Sequence, residues 1–406
     1  MTHYYPFGSV TENKTHRYQA FDSLRSIAAL VVLLAHAQTL LALNIPNLPW
    51  PLSGLLDSRA AVAFFFVLSG FVLHLSLSKT ELSFASYVGF QVRRILRIYP
   101  LYYLSLLAVL AAIYLQDKNA FPLFHDRIKD VLAADHRNVY QWLQQLLLIG
   151  PGFDMYFLNP PAWTLVVEMR VAIFFPVISW IVSRLSIRKG AIFVCASVLA
   201  AFIGGKLMHS EFIELIPLFL MGAFFAQHRN VILNAKISPA KMWSLILLSF
   251  IFYTSRFSMR DFVSVCWYVL GFGSFSQTTL RDLLSIGWYA CGLGSLGIML
   301  LVVRNRMAAK FLLRPALVFL GALSYGIYVL HFPVFLWLSA YRAKFNLSGS
   351  AIIFFLLGLL LTIAISFLTY RFVEAPFIEL GRKLSGKLGR KAKATYDHDL
   401  TLVAKE

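Results

Sequence analysis

A few ionisable side chains fall inside long apolar runs of this chain, and they are the residues that could do chemistry. An ionisable group at bilayer depth is costly to hold, so each is a functional candidate by default. The segment FDSLRSIAALVVLLAHAQTLLAL carries Arg25 and His36. On a helix they are about three turns apart, on one face and roughly 16 Å apart along the axis. Asp22 precedes Arg25 by three residues and can pair with it. A neutral imidazole at that depth could act as a general base, or could hydrogen-bond a neighbouring helix as structural glue.

Further on, the run QVRRILRIYP places Arg93, Arg94 and Arg97 close together, with Arg94 and Arg97 on one helix face and Arg93 and Arg97 on another. Clustered guanidinium groups suit phosphate, which they grip bidentately. They suit anchoring against lipid headgroups equally, and the following Tyr99, Tyr102 and Tyr103 fit an interfacial belt. The run PAWTLVVEMR holds Trp163, Glu168 and Arg170. Glu168 and Arg170, two apart, face different ways, so each needs a partner on another helix or water in a polar cavity. In SYGIYVLHFP, Tyr325, Tyr328 and His331 recur every three residues and line one face, placed by the expected topology toward the outer half. That stripe could bind a polyol or tie helices together. Glu374 is placed to pair with Arg25 or the Arg94/Arg97 group, whereas His74 and Glu214 read as interfacial or structural.

The elements that must position these groups are visible in the composition. The 406 residues are 59% hydrophobic and 14% charged, against about 45–50% and about 25% in soluble domains. That excludes a water-soluble enzyme and a disordered chain. The hydrophobic content comes in blocks near the ~20 residues that cross a bilayer as a helix. The sequence therefore predicts an all-α integral membrane protein with about ten transmembrane helices, near 24–44, 60–77, 98–115, 164–183, 191–208, 211–227, 242–256, 282–303, 315–338 and 350–371. The stretch 139–150 is too short to span and reads as interfacial or re-entrant. Residues 1–20 are expected to be a cytoplasmic segment, 21–380 the membrane domain and 381–406 a basic cytoplasmic tail that can touch anionic lipid.

Of the 37 Lys and Arg, 25 fall on the termini and alternate connections and 11 on the other side, with Arg170 inside a span. The bias predicts both termini cytoplasmic. It also accounts for most of the net charge of +18 without nucleic acid as a partner. Cys195, Cys266 and Cys291 form neither a disulfide framework nor a metal-binding spacing, and no metal is expected. The connection 116–162 is the longest outward loop and a candidate cap over the acceptor side.

Six pieces in order, FDSLRSIAALVVLLAH, VAFFFVLSGFVL, RRILRIYPLYY, PAWTLVVEMR, LSYGIYVLHFP and FVEAP, resemble the acyltransferase 3 family of integral membrane acyltransferases. The resemblance implies transfer of an acyl group, usually acetyl, from cytoplasmic acetyl-CoA or another acyl-CoA to a hydroxyl of a carbohydrate or glycan. It also implies a multi-pass home in a cell membrane, the bacterial inner membrane foremost. Carried over by position, the catalytic pair falls on Arg25 and His36, the RxxR motif on Arg94 and Arg97, and the Trp-to-Glu motif on Trp163 and Glu168. Ala61 and Ala63 depart from the polar or glycine residues common before FFVLSG.

On this reading, Arg93, Arg94 and Arg97 hold the CoA phosphates. His36 serves as base or as acyl carrier, Glu168 orients it or binds acceptor, and Trp163, Tyr325, Tyr328 and His331 shape the acceptor side. A transporter that moves an acyl donor or glycan without bond-making is the alternative. A membrane assembly subunit whose polar residues only pack is a third. Oligomeric state is not legible.

Overall fold

The computed structural model describes residues 12–43, 51–78, 82–115, 138–149, 158–269, 277–347 and 351–388. Among these residues the chain is helical and has no β-strand. In order the helices are α1 Glu12–Leu40, α2 Leu52–Leu55, α3 Ser58–Leu77, α4 Phe84–Leu115, α5 Asn138–Leu147, α6 Trp163–Arg184 and α7 Ile187–Leu207. They continue with α8 Glu211–Asn234, α9 Pro239–Val269, α10 Gln277–Arg304, α11 Arg306–Leu312, α12 Pro315–Ala322, α13 Ser324–Lys344 and α14 Ala351–Thr369.

Eight of the described helices are long and apolar enough to cross a membrane, or nine if the bent pair α12–α13 counts as one span. The 31-residue α9 stands where a further span was expected near 242–256, and is not among them. Large apolar side chains such as Ile192, Leu199, Leu247, Ile352 and Leu360 lie on the outside. Contiguous exposed apolar surface of that extent is uncommon in soluble monomers and fits contact with lipid.

Three local expectations change. The span expected at 98–115 belongs to a longer helix that starts at Phe84, so Arg93, Arg94 and Arg97 lie within one continuous helix with it. The span expected at 315–338 is broken by a 68° bend between α12 and α13. The last helix passes through a π-helical turn, Tyr370–Glu374, and continues helical to residue 388, beyond the boundary expected at Gly381. Residues 389–406, most of the basic tail, lie outside the described residues, as does most of the loop 116–162.

The core that positions the polar groups is made by α1, α3, α4, α6 and α13. α3 crosses α8 at backbone contact. A Cβ on Gly70 would lie 2.0 Å from the Phe219 carbonyl oxygen, and one on Gly222 would lie 1.9 Å from that of Val67. Glycine at both places is what lets two membrane helices approach this closely. Ser23 of α1 donates to the Leu312 carbonyl at 2.7 Å, and Gly321 of α12 packs directly on the backbone of Asp22. The α11–α12 elbow thereby fixes the segment of α1 that carries Asp22 and Arg25.

Three tyrosines of α4 finish α5. A helix leaves its last four carbonyls without intrahelical donors. The hydroxyl of Tyr102 donates to the Gln145 carbonyl at 2.7 Å, that of Tyr103 to Leu146 at 2.8 Å, and that of Tyr99 to Leu147. Leu148 then turns with φ 50° and is fully buried. The side chains read as an interfacial belt thus hold the short amphipathic helix through its orphan carbonyls.

Candidate active site

His36 lies half-buried on α1, one turn after Val32. Its Nδ1 is 3.0 Å from the Val32 carbonyl oxygen and 3.1 Å from Nε2 of His331, on α13 and 295 residues away. His331 is fully buried, and its own Nδ1 is 3.1 Å from the Ile327 carbonyl oxygen. The two imidazole centroids are 5.1 Å apart, and Phe332 meets His36 edge-on. No hydrogen-bond partner for His36 Nε2 exists among the described residues.

In the same polar region one ion pair joins two helices and another lies within α1. Arg94 Nη2 of α4 is 2.8 Å from Glu168 Oε2 of α6, and the other carboxylate oxygen accepts from Ser69 Oγ of α3 at 3.0 Å. Arg25 bonds Asp22 within α1 at 3.0 Å. Arg97 lies within electrostatic range of Arg25, Asp22, Arg94 and Glu374, yet makes no hydrogen bond or ion pair among the described residues. Of these three arginines, it is the one left for a ligand.

The sequence-predicted residues separate accordingly. Arg25, His36, Arg94, Arg97, Glu168, Tyr325, Tyr328 and His331 belong to one connected polar region spanning α1, α4, α6 and α13. Arg93 does not join it and lies against Gly381 of the last helix. The tyrosine stripe is engaged in helix contacts. Tyr325 donates to the Ile98 carbonyl of α4 at 2.6 Å. Tyr328 lies 2.8 Å from Thr164 Oγ1 and 3.1 Å from the Pro161 carbonyl oxygen. Trp163 stands at the start of α6, edge-on to Phe66 and to Trp288 of α10.

Glu168 and Arg170 do face apart, the guanidinium of Arg170 packing over the Phe212 ring at 5.4 Å. Glu374 makes no ion pair among the described residues. Its buried carboxylate lies against Gly326, in electrostatic range of Arg97. His74 and Glu214 are buried as well. His74 bonds Gln227 and Ser179 at 3.0 Å each, and Glu214 accepts from Ser285 at 2.8 Å. Both serve helix contacts rather than an interface.

Two contributors were not singled out from the sequence, Ser69 and Thr164. Ser69 immediately precedes Gly70, and a hydroxyl beside a close-packing glycine was the available signal. Ala61 and Ala63 are fully buried, and Ser69 supplies the hydrogen bond from that helix to Glu168. No group of three metal-ligating side chains occurs among the described residues.

A helical bundle with crossing-length apolar helices around a buried histidine and matched charges defines a multi-pass membrane protein with a polar interior site. The chain belongs to the acyltransferase family, whose acyltransferase domain matches residues 18–371. Similar proteins include two from Staphylococcus aureus strains MSSA476 and MRSA252, each named a putative O-acetyltransferase. Each is 27% identical over 396 residues, covering 92% of this chain and 59% of the relative. The chain thus spans about three fifths of their length. Nodulation protein 10 of Rhizobium leguminosarum bv. viciae is 30% identical over 205 residues, 48% of this chain and 53% of that protein. No solved structure matches.

Proposed function

We propose that this protein transfers an acyl group, acetyl foremost, from cytoplasmic acyl-CoA to a hydroxyl of a carbohydrate or glycan acceptor, with both termini cytoplasmic in a bacterial inner membrane. The observation that carries the reading is His36. Its Nδ1 is committed to Val32 and His331, while Nε2 has no described partner, and the Arg94–Glu168 pair lies in the same polar region. Membership of the acyltransferase family and the names of the Staphylococcus relatives support the reaction class.

In the reaction, the acceptor oxygen attacks the thioester carbonyl as its proton passes to His36 Nε2. The C–O bond forms and the C–S bond breaks. CoA leaves as thiolate and takes the proton back from the imidazolium. In the covalent variant, Nε2 itself attacks the carbonyl and expels CoA as thiolate. The hydroxyl then attacks the acyl-imidazole, the C–N bond breaks, and the hydroxyl proton passes to the thiolate. Arg97, with no hydrogen bond or ion pair among the described residues, is assigned to the anionic donor. Arg94 is engaged by Glu168, so its part is to hold that carboxylate in place, and Arg93 is assigned to the cytoplasmic surface. Arg25 lies between the arginine group and His36 along α1.

The test uses protein in lipid nanodiscs with radiolabelled acetyl-CoA and methyl glucoside as acceptor, comparing the native chain with His36→Ala. CoA release should disappear in the variant while acetyl-CoA binding remains. Label retained on native protein would select the covalent route. Transfer that survives His36→Ala in correctly inserted protein refutes the proposal.

A further inference from the structure

We propose that His331 is a positioning residue, holding His36 in the one tautomer that presents a bare Nε2 to the reacting hydroxyl. The inference rests on the reading of His36 given above. The argument starts from two backbone carbonyls, which only accept. Ile327 O lies 3.1 Å from His331 Nδ1, so that nitrogen carries the ring proton and Nε2 of His331 is left with its lone pair. This lone pair faces His36 Nδ1 at 3.1 Å, and Val32 O faces the same atom at 3.0 Å.

A proton on His36 Nδ1 satisfies both acceptors. A proton on Nε2 instead would leave three acceptors facing each other with no hydrogen between them. The two rings therefore fix each other, and the lone pair of His36 is directed to the only ring nitrogen without a described partner.

The surroundings hold this arrangement still. His331 is fully buried, and the Tyr328 ring lies 6.1 Å from it. Tyr328 is in turn pinned to α6 through Thr164 and the Pro161 carbonyl. When Nε2 accepts a proton from the hydroxyl, the Nδ1–H of the new imidazolium becomes a charge-assisted donor to Val32 O and His331 Nε2. His331 stabilises the cation without taking its proton. With both ring nitrogens engaged, His331 has no polar edge free for an acceptor sugar, so it acts through His36.

The variants are His331→Phe, which removes the acceptor, and His331→Gln, whose amide oxygen can replace it. In nanodiscs with acetyl-CoA and methyl glucoside, His331→Phe should lower kcat about 10–100-fold, the loss expected for one hydrogen bond to a charged group. KM and acetyl-CoA binding should stay native, and His331→Gln should recover most of the rate. Native kcat in His331→Phe overturns the proposal. So does a defect confined to the acceptor KM, which would make His331 an acceptor contact.

Should either variant fail to fold, nitrogen-15 NMR of the native protein decides. The His36 signals, identified by their loss in His36→Ala, should show Nδ1 protonated and Nε2 bare, and the reverse tautomer overturns the proposal. Transfer retained by His36→Ala would refute the catalytic reading itself. An inactive His36→Ala beside a native-like His331→Phe would leave that reading standing and remove His331 from it.

Discussion

Replacing Glu168 by leucine strands a guanidinium inside the protein. Arg94 is only 8% exposed, its Nη2 is 2.8 Å from Glu168 Oε2, and its Nε has no partner among the described residues. At that separation two unit charges attract by about 6 kcal/mol in an effective dielectric near 20. Much of this offsets the desolvation of both ions, yet removing one partner leaves the other's desolvation uncompensated, and breaking a buried pair costs about 3–5 kcal/mol.

Glu168→Leu should fall at the upper end, because Ser69 Oγ loses its acceptor too. Arg94→Met should cost less, since the carboxylate keeps the Ser69 hydrogen bond. The double variant Arg94→Met/Glu168→Leu buries no charge at this place, and should recover at least about 2 kcal/mol relative to the sum of the single losses. The measurement is reversible unfolding in mixed dodecylmaltoside/SDS micelles for all four proteins. Additive losses, or single losses under about 1 kcal/mol, would refute the claim that the pair is buried and coupled.

Gly222→Ala pushes a methyl group to 1.9 Å from the Val67 carbonyl oxygen and should lower stability by about 3 kcal/mol or more in the same micelles, because backbone cannot yield there. Gly386→Ala, with nothing within 4 Å and a helical backbone, should instead gain about 0.5–1 kcal/mol. Tyr102→Phe removes a donor from the Gln145 carbonyl and should cost about 1–2 kcal/mol, with hydrogen exchange faster over residues 142–149 than over the rest of the bundle. Arg97→Ala should leave stability within about 0.5 kcal/mol of native, because it makes no hydrogen bond or ion pair among the described residues. Titration with acetyl-CoA should show its affinity reduced about tenfold or more, and unchanged affinity would place the donor elsewhere.

The helical blocks and the polar candidates were legible for one reason. In an apolar segment both the periodicity and the rare ionisable residue are one-dimensional signals. Arg25, His36, Arg94, Glu168 and His331 stand out against their neighbours without knowledge of any contact. The pairing of Asp22 with Arg25 was equally local, three residues along one helix. The helix of α4 was less legible at its start. Hydropathy starts a segment where charge ends, whereas the helix itself runs back through Arg94, which meets a carboxylate from α6.

By itself, then, the sequence determined an all-α membrane chain, the approximate spans and a short set of residues able to do chemistry. Partner choice came from the tertiary structure alone. Arg94 meets Glu168 across 74 residues and His36 meets His331 across 295. Spacing along a helix tells which side chains share a face, and the crossing of helices tells what that face meets. That crossing is set by contacts such as Gly70 on Phe219, by the bend between α12 and α13, and by the tyrosines that hold α5. The tyrosine stripe shows the difference most directly. Its three residues share a face as the spacing requires, and packing sends one to α4, one to α6 and the histidine to α1.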